Sequence, residues 1–114
     1  GPIYMKRNVS LKGTLSEILD RIADNIVIII NQISKKIIKP KSQIGKVYNF
    51  RRIKKSNSKI SEKLTIEEIY DKIRMVDAPG YPIAFINYKN IKIEFSNPLL
   101  KKKHIVCNAK IIRK

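Results

Sequence analysis

The sequence has no Trp, one Cys and one His, and each shortage removes a class of chemistry. Cys107 alone excludes an internal disulfide and a cysteine-built zinc cage, and a single imidazole, His104, does not make a metal site. Four glycines stand singly along the chain, and none opens a phosphate-cradling loop. No long apolar run occurs: Ile26 to Ile30 is the longest, far below the roughly 20 residues a bilayer demands. The amino-terminal residues lack a basic start, an apolar core and a small-residue cleavage site, so no secretory leader is read and a cytoplasmic location is expected. What is present is ordinary in bulk, 43% hydrophobic over 114 residues and 13.2 kDa. That is enough for one small body, which would bury only roughly 60–70% of its unfolded surface.

Acid is the other scarcity. Nine Asp and Glu face 25 Lys and Arg, for a formal charge of +16. Between Asp24 and Glu62 there is no acid, while Lys35, Lys36, Lys39, Lys41, Lys46, Arg51, Arg52, Lys54, Lys55 and Lys59 fall in the same interval. Such a block attracts polyanions without specifying one. Lys outnumbers Arg 19 to 6 and Ile reaches 23 residues, a bias that an A/T-rich coding sequence also produces. Only Tyr48 and Phe50 interleave aromatic rings with this charge.

Capping patterns mark two helices. Thr14 with Glu17 three residues on opens the first, and Leu15, Ile18, Leu19, Ile22, Ala23, Ile26, Ile29, Ile30 and Ile33 recur at helical spacing. This predicts a helix over 14–36, ended by Pro40 and greasy all round at Ile26 to Ile30, a pattern that requires cover on both faces. Thr65 and Glu68 open the second, whose stripe is Ile66, Ile69, Tyr70, Ile73 and Val76, with Pro79 as its stop and a Glu68–Lys72 ion pair on its surface. Between the two lie one strand candidate, Lys46 to Phe50, and a polar stretch, Lys54 to Ser61, that reads as a surface linker. Downstream, Lys89-Asn90 serves as a two-residue loop pairing Tyr88 with Ile91, Ile86 with Ile93 and Ala84 with Phe95, one apolar face of a hairpin. A third strand, Ile105 to Ile112, alternates Ile105, Cys107, Ala109 and Ile111 on one side. The reading is an α+β chain of helix, basic linker, short helix and small antiparallel sheet.

Catalytic machinery is hard to assemble from these residues. A hydrolytic or acyl-transfer site needs a nucleophile, a base and a group that orients the base. His104 follows Lys101, Lys102 and Lys103 at the start of a strand, where a solvated edge position is the expectation. Asp77 precedes the segment APGYP and is expected to cap a chain reversal. Arg51 and Arg52 are suited to clamp a phosphate, although neighbours in a strand point to opposite faces.

The segments IYDKIRMVDAPGYPIAF and IKIEFS together resemble the carboxyl-terminal signature of formyltransferases that use 10-formyltetrahydrofolate. That signature is a short helix ending in Ile-Arg, an Asp, a turn around Tyr-Pro, Ala-Phe entering a strand, and a following apolar strand. The opening GPIYMKR resembles the segment after the family's catalytic Asp, in an Asp-x-Gly-Pro setting. The resemblance implies that the first helix belonged to a Rossmann-like catalytic domain, with residues 1–38 as its end, 39–63 as a basic linker and 64–114 as a carboxyl-terminal module of helix and hairpin. It also implies that the catalytic Asn, His and Asp lie before Gly1, that this piece is inactive alone, that the formyl donor is 10-formyltetrahydrofolate, and that no metal takes part. FRRIKKSNSKI resembles the Arg-Arg segment of enzymes acting on sugar-nucleotide amines, so Arg51, Arg52 and Tyr81 are the expected acceptor contacts. Two acceptors stay open, a sugar-nucleotide amine and methionyl-tRNA, as does homodimer formation through the hairpin. A reading of another class is a stand-alone basic module that binds tRNA without catalysis.

Overall fold

The computed structural model describes residues 1–114, in the order α1 (Leu15–Lys35), a 3₁₀ turn (Lys55–Ser58), α2 (Ile66–Arg74), β1 (Ala84–Tyr88), β2 (Ile91–Leu100) and β3 (Ile105–Arg113). Two helices and a three-stranded antiparallel sheet make the chain α+β. Contacts divide it into two units, one of Gly1–Lys12 with Glu17–Arg51, the other of Gly13–Ser16 with Arg52–Lys114.

In the first unit the amino-terminal segment is tied to α1 by polar groups. Arg21 donates to the carbonyls of Ser10 (3.1 Å) and Lys12, and the Arg7 guanidinium donates to the Asn25 side chain at 2.6 Å. An antiparallel bridge then joins Ile3 to Lys41, with N–H···O distances of 2.7 and 2.8 Å. The expected double cover of α1 is not found: Ile18 alone is buried, and Ile26 is 50% exposed with Val27 and Ile30 more so. The helix closes at Lys35, ahead of Pro40. The β-branched pair Ile37–Ile38 and the pre-proline Lys39 both favour extended backbone there. Residues 46–50 form no strand. No neighbouring strand offers them a ladder, and Phe50 stays 88% exposed, its ring edge-on to that of Tyr48 at 4.8 Å.

The second unit is the better packed. Thr65 and Glu68 form the reciprocal cap: the Glu68 N–H donates to Thr65 Oγ1 at 3.2 Å and the Thr65 N–H to Glu68 Oε2 at 2.8 Å. That engagement turns the Glu68 carboxylate toward the helix start, so the expected pair with Lys72 does not form; Asp71 and Arg74 pair instead at 2.6 Å. Helix α2 ends at Arg74, and Met75 caps it before Pro79 is reached. Ile73 and Val76 at its end meet Ala84, the fully enclosed first residue of β1, with Ile60, Ile69 and Phe95 around them.

The hairpin register is the expected one, Ala84–Phe95, Ile86–Ile93 and Tyr88–Ile91, and Lys89 takes φ +50 in its loop. β3 pairs with β2 so that Ile111 continues the Ile86–Ile93 row and Ala109 the Ala84–Phe95 row. The alternating face of β3 is covered at one end only. Ile105 and Cys107 are half-buried, but Ala109 and Ile111 are exposed, Ile111 at 68%. A bulge between Ser96 and Leu99 places Asn97 at φ +49. On the opposite edge, the Ile60 N–H donates to the Phe85 carbonyl at 2.8 Å, and Ser58 is buried with its hydroxyl donating to the Pro82 carbonyl at 2.6 Å. The polar stretch read as a surface linker is therefore anchored to β1.

Between α2 and β1 the chain reverses in a turn, Ala78-Pro79-Gly80-Tyr81, closed by the Tyr81 N–H donating to the Ala78 carbonyl at 3.2 Å. Pro79 supplies the fixed φ of the second position and Gly80 the positive φ of the third, +81. A Cβ on Gly80 would meet nothing within 4 Å, so Gly80→Ala should cost only the backbone strain of about 1–2 kcal/mol. Thermal unfolding of the variant checks this: an unchanged Tm would contradict the turn geometry.

Candidate functional site

The turn and the anchored basic stretch meet in one groove of about 720 Å³, lined by Arg52, Ile53, Lys55, Gly80, Tyr81 and Pro82. Two features of local sequence build it. Ser58 fastens the stretch to Pro82, while Asn57 holds the 3₁₀ turn through its side-chain carbonyl accepting from the Lys54 N–H at 2.9 Å. From the other side, Pro79-Gly80 delivers the Tyr81 ring, 41% exposed, to the groove wall. Arg52 and Lys55 are exposed and make no ion pair or side-chain hydrogen bond, and no acid lines the space. The chemistry on offer is thus two unneutralised cations beside an aromatic and two aliphatic surfaces. It suits an anion carrying a flat apolar part, and it contains no nucleophile and base in contact.

Of the three expected contact residues, Arg52 and Tyr81 come together here. Arg51 is exposed and does not line the groove. Lys55 and Ile53 were missed in the sequence because residues 39–63 read as a basic linker. The signal for them lies in Ser58, whose burial could be suspected only with Pro82 known to be its partner.

The other titratable candidates have structural settings. Asp77 does not cap the chain reversal as expected: its Oδ2 accepts from the Asn97 N–H at 2.6 Å in the bulge of β2, its carbonyl accepts from the Ser16 N–H at 3.2 Å, and the reversal is closed by backbone alone. His104 is exposed, its carbonyl accepting from the Lys101 N–H at 2.8 Å in the β2–β3 turn. Burial pushes the Cys107 thiol above its ordinary value, which disfavours the thiolate. No three His, Cys, Asp or Glu side chains gather as metal ligands, and no helix is long and apolar enough to cross a membrane. A second open space of about 840 Å³, in the first unit, has Tyr4, Lys6, Lys39 and Lys41 on its walls.

The sequence profile of the methionyl-tRNA formyltransferase C-terminal domain matches residues 55–112, half of the chain. The chain belongs to that family. The matched span of this formyltransferase C-terminal domain runs from Lys55 in the groove to the last residues of β3, with Arg52 and Ile53 just outside it. Among solved structures, methionyl-tRNA formyltransferase from Clostridium thermocellum superposes with a TM-score of 0.92 at 39% identity, over 100% of this chain and 51% of that one. The chain therefore spans about half the length of that enzyme. No curated protein matches it.

Proposed function

We propose that the chain is the carboxyl-terminal part of an enzyme that moves a formyl group from 10-formyltetrahydrofolate to an acceptor amine, its share being acceptor contact and not the chemistry. The likeness of the whole chain to half of a methionyl-tRNA formyltransferase carries this reading. In it, α1 is the terminal helix of a Rossmann-like catalytic domain ending near residue 38. The apolar residues that α1 leaves exposed support that assignment, since a complete enzyme would supply their cover. Residues 39–63 are the connecting basic segment and 64–114 the terminal module, with self-association through the hairpin as an added role. The catalytic Asn, His and Asp belong to the preceding half, and this chain's residues hold neither the formyl donor nor a metal.

Methionyl-tRNA is the favoured acceptor, because both comparisons carry that name and the acid-free interval from Asn25 to Ser61 suits a polyanion. A sugar-nucleotide amine is the second reading, supported by the Arg-Arg segment. Arg51, Arg52 and Tyr81 are proposed to touch the acceptor in either case, and the enzyme is proposed to work in the cytoplasm.

The test is an assay of the protein extended upstream of Gly1 with 10-formyltetrahydrofolate and two acceptors, charged initiator tRNA and an amino-sugar nucleotide. Transfer to the tRNA is expected, with no transfer by the 114-residue chain alone. Tight, salt-sensitive tRNA binding without transfer to either acceptor would instead favour a basic binding module and end the enzymatic reading.

A further inference from the structure

We infer that Arg74 is a positioning residue for the proposed transfer: it grips the opening of α1 from the carboxyl-terminal unit and so sets where the acceptor is presented to the reacting groups. This role rests on the acceptor-contact reading and names a residue outside the groove on which that contact depends.

Arg74 is the last residue of α2, and its charged side chain is only 17% exposed. Its guanidinium has three neighbours. Nε donates to Asp71 Oδ1 at 2.6 Å, Nη1 donates to the Gly13 carbonyl at 3.0 Å, and Cζ stands 5.6 Å from the centre of the Tyr70 ring. Asp71 and Tyr70 lie on α2 itself, whereas Gly13 lies 61 residues back along the chain. Asp71 is 60% exposed, and an ion pair so open to solvent contributes little by itself. Together with the ring, it aims the remaining donors of the fork at Gly13.

Gly13 stands where the chain turns into α1. Its φ of +85 belongs to a region that glycine enters without strain, and the helix begins two residues on, at Leu15. The start is held a second time. The Ser16 N–H, one of the first-turn amides that a helix leaves without an internal partner, donates to the Asp77 carbonyl at 3.2 Å. Residues 13–16 accordingly fall in the carboxyl-terminal unit, while α1 from Glu17 onward falls in the first. One helix is thus common to both units through its own backbone. Under the proposed function that helix closes the catalytic domain, so the four residues held by Arg74 and Asp77 are the stretch through which a rigid element joins acceptor contact to chemistry. Asp77 supplies a carbonyl, which any residue has; Arg74 supplies a side chain, and is the one whose replacement can be read. A misplacement of about 1 Å between reacting groups can cost roughly 10²-fold in rate, so a loosened helix start should be felt in turnover before it is felt in folding.

The upstream-extended protein is assayed with 10-formyltetrahydrofolate and whichever of the two acceptors the parent formylates, alongside Arg74→Gln, Arg74→Lys and Asp71→Asn. Arg74→Gln should lower kcat about tenfold or more, with the KM for the formyl donor and the folded fraction, read from melting curves, as in the parent. Arg74→Lys should be nearly as impaired, because one ammonium lacks the fork that serves Asp71 and Gly13 together. Asp71→Asn keeps an oxygen acceptor for Nε and should turn over as the parent does. In the ¹⁵N-labelled 114-residue chain, Arg74→Gln should speed hydrogen exchange at the Ser16 amide and leave the β1–β2 amides unchanged. A loss of activity matched by a lost folded fraction, a parental kcat in Arg74→Lys, an Asp71→Asn enzyme as slow as Arg74→Gln, or unchanged exchange at Ser16 would each overturn the inference. A parent that transfers formyl groups while every Arg74 variant equals it would sink this inference alone. A parent that transfers none to either acceptor would sink the reading beneath it, and this role with it.

Discussion

Ile73→Ala should destabilise the carboxyl-terminal unit by about 2–5 kcal/mol, the range for truncating a buried aliphatic side chain where the surroundings relax only in part. Ile73 is 2% exposed at the last turn of α2, against Val76 and Ala84. These three form the buried core of the unit, with Ile60, Ile69 and Phe95 only partly enclosed around them. A core this small has no second layer to redistribute a void into. It is also where the elements converge: α2 supplies Ile69 and Ile73, β1 Ala84, β2 Phe95 and the anchored stretch Ile60 to the core or its surround. Domains of this size hold only about 0.05–0.15 kcal/mol per residue of net stability, so the variant is expected to be largely unfolded in mild denaturant. Urea unfolding followed by circular dichroism tests it. A midpoint equal to that of the parent chain would mean that the core lies elsewhere.

The elements of this core were legible in the sequence to different degrees, and the differences have physical causes. Thr65 with Glu68, the stripe through Ile73 and Val76, and the hairpin register are local patterns, and local patterns fix local geometry: the cap, the buried stripe and all of the β1–β2 pairs follow. Lys46 to Phe50 has strand-forming residues in Val47, Tyr48 and Phe50 but needs a partner strand that composition does not provide, and it stays unpaired. The third strand forms, yet its face is open at Ala109 and Ile111, because coverage is decided by the elements packed on it and not by the strand's own pattern. The Lys54 to Ser61 stretch is polar throughout its first half and still fastens to β1, through Ser58 and Ile60, whose partners lie 24 and 25 residues downstream. The groove inherits that difficulty. Arg52 and Tyr81 could be named from a family resemblance, while Lys55 joins them only when Ser58 is seen bonded to Pro82.

Charge followed a similar course. Composition gives a basic interval and no more, since ten cations without an acid can coat any extended segment. The fold selects among them. Lys41 is held by backbone pairing to Ile3, Lys59 pairs along β1, and Arg52 and Lys55 reach a groove with an aromatic wall. Selectivity for a partner lies in that arrangement, because unlocalised charge raises affinity for every polyanion alike.

Asp77→Ala should cost about 1.5–3 kcal/mol, the range for a hydrogen bond to a charged group, and it should act on the bulge of β2, since the bond from Ser16 goes to the Asp77 backbone carbonyl and survives the substitution. The Asp77 carboxylate accepts from the Asn97 N–H at 2.6 Å, and the Asp77 carbonyl accepts from the Ser16 N–H at 3.2 Å. Asn97 sits in the bulge of β2 at φ +49, in the left-handed region that Asn tolerates better than most L-residues. The carboxylate adds a fixed acceptor for its N–H there. Without that acceptor the Asn97 N–H loses its partner and the bulge is free to relax, which would loosen Ser96 to Leu99 while leaving the hairpin pairs from Ala84 to Tyr88 intact. Asp77→Asn keeps a neutral acceptor of the same shape and should lose less than half as much. Amide hydrogen exchange distinguishes this role from general acid–base work, because a faster exchange confined to Asn97 and its neighbours is a structural signature that a catalytic carboxylate would not leave. Should Asn97 exchange be the same in Asp77→Ala and the parent, Asp77 does not hold the bulge, and the carboxylate returns to the pool of residues available for chemistry.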